Sequence, residues 1–429
     1  MYRKIVICVM LAVASLAANA QVESSLGSYS PYTMYGLGDL SVGGTVSSRA
    51  KGGVGIALRD SYEFNYLNPA ALSAIPQRSA LFSFAVSNSN YYQDMGDQTN
   101  AYNGSNLHDL SFAIPLAKGL GLGVSLTPLS SVGYSTTLIN DNEDVISDIG
   151  RTVYSYFGDG GVTQFNTSIG GKVIGGLSLG ATMHYEFGSI NRTWDSQMYS
   201  LLSYETYRKV RTKEQLQIDQ LRFTFGGQYQ IRVGSDDEII IGATYSTKKH
   251  TSLDNIFLSY SDSGVLYDTV AYSRGYVDVD VPEKYAAGIS FSNPKLTVSF
   301  DYSYQDWADA FEVVGDIGLG AINDYRFGMS YTPDRNSLRS FFARMTYNFG
   351  VRYATSYLLY KGEQPQTWSV SMGFDMPIKS RNFSAFNFGL EVATRAAQTV
   401  VLRENYVSVF LGLTLFGGDD MWFMQRKFN

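Results

Sequence analysis

From residue 78 to the C-terminus the chain alternates apolar and polar side chains in segments of about ten residues. Leu177, Leu179, Ala181, Met183, Tyr185 and Phe187 interleave with Ser178, Gly180, Thr182, His184, Glu186 and Gly188. Leu296, Val298, Phe300, Tyr302 and Tyr304 interleave with Thr297, Ser299, Asp301, Ser303 and Gln305 in the same way. Side chains on a strand switch faces at every residue, so each segment has one oily face and one wet face. Repeated over most of the chain, this pattern predicts a transmembrane β-barrel with lipid outside and a polar lumen inside.

The alternation predicts an all-β fold, a barrel of about fourteen antiparallel strands. They fall near 78–89, 107–117, 120–132, 162–173, 177–190, 218–232, 238–249, 284–292, 295–306, 322–333, 339–353, 366–379, 382–394 and 403–416. Short connections such as Ala117-Lys118-Gly119, Ile174-Gly175-Gly176, Gly234 to Asp237, Asn293-Pro294 and Pro333 to Asn336 carry reversal residues. Between them lie long connections near 90–106, 133–161, 191–217, 250–283, 307–321 and 354–365. Short periplasmic turns alternating with long external loops are the habit of outer-membrane barrels. A large soluble β-sandwich is the alternative, and the loop alternation and the aromatic load of one face speak against it.

Composition adds the compartment. Arg3 and Lys4, the apolar run Ile5–Leu16 and Ala18-Asn19-Ala20 form a secretory leader over residues 1–20. The only cysteine, Cys8, lies in that leader, so the mature chain is expected to have no thiol, disulfide or cysteine metal site. Losing Arg3 and Lys4 takes the formal charge from −6 to −8, which gives no support to nucleic-acid binding. Tyr (32) and Phe (25) suit lipid-facing bands and girdles, and Gly (42) suits packed strands and tight turns. The expected location is the outer membrane of a Gram-negative cell, with membrane lipid around the wall and the barrel-assembly machinery as a partner in biogenesis. No cofactor or metal is expected.

On the lumen face the alternation places His184, Glu186, Arg222, Asp301, Arg326 and Arg344, with Arg232, Arg352, Asp375 and Glu391. Charges taken out of water need partners, and the segment before the barrel is suited to supply them. Residues 21–77 lack strand alternation but carry Tyr35, Leu37, Val54, Ile56, Leu58, Phe64, Leu67 and Leu72, too apolar for a disordered tail. They predict a compact plug inside the barrel of residues 78–416, with 417–429 left as a tail. Gly53-Val54-Gly55 resembles a phosphate loop, but the third glycine and the strand–helix context are missing, so a nucleotide site is discarded.

In this segment Ser48-Arg49-Ala50-Lys51-Gly52-Gly53-Val54-Gly55 is followed by Asn68-Pro69-Ala70. Later come Val281-Pro282-Glu283-Lys284-Tyr285-Ala286-Ala287-Gly288, Phe300 to Trp307, and Asp324-Tyr325-Arg326-Phe327-Gly328. This ordered set resembles the FadL family of outer-membrane transporters for long-chain fatty acids and other hydrophobic compounds. The resemblance covers nearly the whole mature chain. It implies fourteen strands and an N-terminal hatch whose motif residues are Arg49, Ala50, Gly53, Gly55, Asn68, Pro69 and Ala70. It also implies capture of an apolar ligand outside, passage to a pocket against the hatch, and sideways release through a gap in the wall. A gap needs a broken ladder, and a residue without an N–H breaks one. Pro128 on the third strand is the candidate for it, beside the alternative that the strand simply ends at the interface. Pro115 is a second candidate. The tail after the last strand is an addition to the family pattern and a candidate docking element for a protein partner.

Hatch-gated uptake of a hydrophobic, fatty-acid-like molecule is thus the expected function. The alternative is a FadL-like barrel serving as a subunit or partner of a secretion or uptake complex. A polar porin is disfavoured by the plug. A lipid hydrolase needs Ser, His and an acid together, and only His108, His184 and His250 are present. His184-x-Glu186 reads as two members of a lumen network rather than a dyad or half a metal site, so the protein is not expected to be an enzyme.

Overall fold

The computed structural model describes residues 29–417, apart from 97–98, 141, 145, 147–149, 200–207, 263–266, 312–316, 379–383 and 398–401. The leader and residues 418–429 of the tail lie outside the described residues. Six long strands open the barrel: β1 Ala80–Asp94, β2 Thr99–Ala117, β3 Leu120–Ile139, β4 Arg151–Ile174, β5 Leu177–Tyr199 and β6 Lys209–Arg232. Next, β7 runs in two pieces, Glu238–Ser246 and Lys249–Asp262, and β8 in two, Tyr267–Val281 and Lys284–Ser292. Then follow β9 Leu296–Asp306, β10 Ala321–Tyr331, β11 Thr346–Thr355, β12 Gln366–Pro377, β13 Ala385–Ala396 and β14 Arg403–Gly417. Neighbours pair antiparallel, and β14 closes on β1 from Arg403–Asp94 to Gly417–Ala80. The result is a closed barrel of 14 antiparallel strands.

Several strands run well beyond the segments expected from sequence. Much of the stretches 133–161, 191–217 and 250–283, expected as loops, is ladder. The reason is visible on β6. Toward the periplasm Leu221, Phe223 and Phe225 point out while Gln220, Arg222 and Thr224 are buried inside. Two residues further out the faces exchange character: Gln215, Gln217 and Asp219 are exposed outside, and Leu216 and Ile218 are buried inside. The strand has left the lipid. Water now bathes its outer face, so the apolar side chains turn to the interior, as in any soluble sheet.

Those inward apolar residues seal the extracellular mouth. Val132, Tyr134, Val162, Ile190, Leu216, Ile218, Leu253 and Val279 of the wall pack with Leu37, Trp307, Tyr357 and Leu358 in one buried cluster. The rings of Trp307 and Tyr357 lie 5.1 Å apart, and the Tyr357 hydroxyl donates to the Gly38 carbonyl at 2.7 Å. In β7 and β8 the face exchange coincides with the breaks at Thr247–Lys248 and Pro282–Glu283, which lie side by side. Proline has no N–H for the ladder, and the two-residue joints let both strands change phase together.

One predicted strand is corrected. The segment expected at 339–353 begins only at Thr346; before it Ser340 caps a helical turn, Phe341–Arg344. Phe341, Phe342 and Ala343 are consecutive apolar residues that break the period of two.

Candidate functional site

Residues 29–79 lie within the barrel, held from all sides. Thr45 caps a five-residue helix, α1 (Val46–Ala50), and its last turn contacts β11, β12, β13 and β14. Arg49 on α1 bonds Glu391 at 2.5 Å and lies over the Phe410 ring. The Ala50 carbonyl accepts from Ser371 at 3.1 Å, and the Gly52 amide, two residues on, donates back to the same hydroxyl at 2.9 Å. Gly52 (φ +74°) and Gly53 (φ +81°) turn the chain through a left-handed conformation that favours glycine. The Gly53 carbonyl accepts from Arg326 at 2.8 Å.

Asp301 receives the next turn: Gly55 and Ile56 amides donate to its Oδ2 at 2.6 and 2.8 Å. Asn68 caps the 3-10 helix Pro69–Ala74, accepting from the Ala70 amide at 3.1 Å and donating to the carbonyls of Ile56 at 2.8 Å and Gly227 at 3.2 Å. Pro69 occupies the first helical position, where a missing N–H costs nothing. All seven hatch-motif residues therefore meet the wall or brace the hatch backbone. Burial pushes the Glu63 carboxyl above its usual range against the pull of Lys51, and Thr45 donates to it.

A girdle of wall glycines receives this segment, and sequence reasoning missed it. Gly121, Gly170, Gly180 and Gly226 stand opposite one another on four successive strands, and a side chain at Gly121, Gly170 or Gly180 would strike the Pro69–Leu72 backbone. Gly242 faces Ile56, and Gly328 and Gly350 face Lys51 and Gly52. Glycine inside a strand marks close approach of another backbone. The signal was present: these glycines sit at lumen-facing positions, not at turns.

Several of the lumen charges are paired. Arg222 and Gln220 bond the fully buried Glu186 at 2.7 and 2.6 Å. Asp324 takes Arg326 at 2.6 Å and Arg352 at 2.9 Å. Near the mouth Arg395 bonds Asp39 at 2.9 Å, and Glu404 accepts from Ser30 at 2.7 Å. His184 lies between Asn166 (2.6 Å) and Thr224 (2.7 Å), while Glu186 belongs to the Arg222 network, so the two stand in separate hydrogen-bond sets. Arg344 sits on the helical turn at the periplasmic rim, donating to the Ser337 carbonyl at 3.1 Å, and lines the inner cavity of the lumen with Lys51, Asp60 and Asp375. Arg232 is exposed at the periplasmic end of β6.

Between the mouth seal and the hatch lies a chamber of about 220 Å³. Its lining mixes Leu40, Val42, Ile322, Leu358 and Phe410 with Arg49, Lys284, Arg326, Arg352 and Arg395, so it is not the continuous apolar cavity of a simple hydrocarbon path. The chamber reaches the wall where β2 and β3 part. Their ladder runs from Ala117–Leu120 to Leu110–Leu126 and stops there. Pro128 follows two residues later, with a register shift at Leu129. Above this point β3 pairs instead with the hatch, Asp39 to Ser131 and Leu40 to Ser130. Gly104, Asn106, Leu107 and His108 line the chamber from the β2 side, and Thr127, Pro128 and Ser131 from the β3 side. His108 is the extra residue of a bulge in β2, and its Nε2 lies 2.9 Å from the Gly44 carbonyl of the hatch. Pro115 lies in the paired part of β2, opposite Gly121.

A closed antiparallel barrel of this strand number is the fold of FadL-type hydrophobic-compound channels. Solved structures similar in shape bear this out at the level of fold. They include a FadL homologue of Pseudomonas aeruginosa (TM-score 0.59, 12% identity, 87% of this chain and 97% of that one). The CymD monoaromatic hydrocarbon channel follows (0.56, 15%, 90% and 100%), as does the toluene transporter TbuX of Ralstonia pickettii (0.54, 16%, 87% and 98%). The sequence profile of the BamG family matches residues 1–429, and the chain belongs to that family. No curated protein matches it.

Proposed function

We propose that the protein is an outer-membrane channel for hydrophobic small molecules that releases them sideways between β2 and β3. The observation that carries this reading is the ladder stopping at Leu110–Leu126 where the chamber meets the wall. An apolar molecule leaving there enters lipid without crossing the polar periplasmic half of the lumen, a route that the hydrophobic effect favours. Lys284 lines the chamber and has no hydrogen-bonded acceptor among the described residues, which suits a ligand ending in a carboxylate, such as a fatty acid. In this reading His108 and the hatch strand at Asp39–Leu40 form the movable side of the exit.

Gly104→Trp tests it by filling the β2 rim of the opening. Cells carrying this variant should take up labelled long-chain fatty acid or toluene several-fold more slowly than wild type, with equal amounts of folded barrel. Unchanged uptake of both would overturn the sideways route.

A second reading, a barrel that serves a secretion or uptake complex, is favoured by the sealed mouth and by the charge-paired seating of the hatch. It predicts a stable protein partner after gentle solubilisation, and loss of that partner on deletion of residues 417–429.

A further inference from the structure

The connection between β10 and β11 is unlike its neighbours on the periplasmic rim. The turns at 118–119, 175–176, 233–237 and 293–295 are two to five residues long, whereas this one runs from 332 to 345. It is folded rather than slack: the Asp334 amide bonds the Ala343 carbonyl at 2.8 Å, Ser340 caps the helical turn, and the Tyr347 hydroxyl donates to the Phe342 carbonyl at 3.1 Å. Yet this ordered turn holds out two large apolar side chains, Leu338 (90% exposed) and Phe342 (69% exposed). The turn carries three arginines against a single acid, Asp334: Arg339 is exposed, Arg335 lies over the ring of Tyr62 and Arg344 over that of Phe341. The foot is cationic in a chain of net charge −6.

Its position says what covers it. The last pair of the β10–β11 ladder is Tyr331–Tyr347, and both tyrosines are exposed on the lipid-facing side of the wall. Aromatic residues at that level mark the membrane–water boundary. Leu338 and Phe342 follow directly below, joined to the girdle through the Tyr347–Phe342 bond. Apolar side chains set among arginines at such a boundary match a phospholipid interface, where the hydrocarbon takes the apolar tips and the phosphates take the guanidinium groups. We propose that residues 334–345 form an interfacial foot that inserts Leu338 and Phe342 into the periplasmic leaflet of the outer membrane and binds anionic phospholipid through Arg339.

Spin labelling tests this in the full chain, with Cys8, the sole cysteine of the sequence, replaced by serine. A nitroxide is attached at Leu338→Cys, and for comparison at Ser235→Cys in the neighbouring turn. The protein is placed in nanodiscs of equal parts phosphatidylglycerol and phosphatidylethanolamine. The ratio of oxygen to nickel-chelate accessibility should be about five-fold higher at 338 than at 235, since oxygen concentrates in hydrocarbon and the chelate in water. Equal ratios would show the foot projecting into water. Protection from both reagents would show a protein covering it, whether a partner or a second copy. Either result overturns the proposal. In a second arm, Arg339→Glu should lower the 338 ratio about two-fold in the anionic discs and leave it unchanged in phosphatidylcholine alone. No change in the anionic discs would overturn the anionic-lipid part.

Discussion

Asp301 is the residue on which the seating of the hatch turns. Its carboxylate takes two backbone amides, Gly55 and Ile56, in a buried setting, and hydrogen bonds to a charged acceptor contribute about 1.5–3 kcal/mol. Asp301→Asn keeps the shape and removes the charge. We predict that it loosens the hatch by that order: trypsin should cut faster after Lys51 and Arg59 while the barrel keeps its resistance to cold detergent. Unchanged cleavage would refute it. Gly350→Val should act more strongly, because the added side chain would overlap the Lys51–Gly52 backbone; here the hatch is expected to leave its seat, read as a large rise in single-channel conductance. Residue-level legibility was uneven. The period of two was enough to put Glu186, Arg222, Asp301 and Arg326 on the lumen face. It misread the segment before Thr346 as strand, where Phe341 and Phe342 follow a helical turn. It was silent on the glycine girdle, because a glycine's role as a seat depends on what lies across the lumen.

At the scale of the element, the upper halves of β7 and β8 make a hairpin above the apolar band, with Asp254 and Arg274 joined across it at 2.5 and 3.1 Å. These bonds hold the Asp254 carboxyl below the usual range. With the folded value depressed, the contribution is complete above the unfolded value, about 3.9, and is lost as pH falls through the folded value. We expect amide protection in the hairpin, relative to the unstructured chain at the same pH, to be equal at neutral pH and near pH 5 and to fall as pH drops below the ordinary carboxylate range. Asp254→Asn should remove that acid dependence. An acid dependence that survives the substitution would place its origin elsewhere. The hairpin was unreadable as strand because its alternation continues with the faces exchanged, and a reading anchored on lipid outside takes the exchange for a loop.

For the whole molecule, the consequence is a lumen closed at the outer end by an apolar seal and at the inner end by a hatch held on charged groups. Among the described residues Trp307 is the largest fully buried side chain, and it sits in that seal. Trp307→Ala should cost about 3–5 kcal/mol of local stability and make the mouth leaky. The check is ion current across planar bilayers, which should rise in the variant while far-ultraviolet circular dichroism stays that of a barrel. A variant as silent as wild type would mean that the hatch alone blocks the lumen.

By itself the sequence determined the barrel and the faces of its membrane half, because these follow from each residue's exposure to lipid or water and from local spacing. Only the tertiary structure decided where β2 and β3 part, that the hatch strand at Asp39–Leu40 takes the place left beside β3, and that the outer third of the wall turns its apolar side inward. Ladder partners are chosen between segments far apart in the chain. Which face is apolar depends on whether lipid or water lies outside at that height.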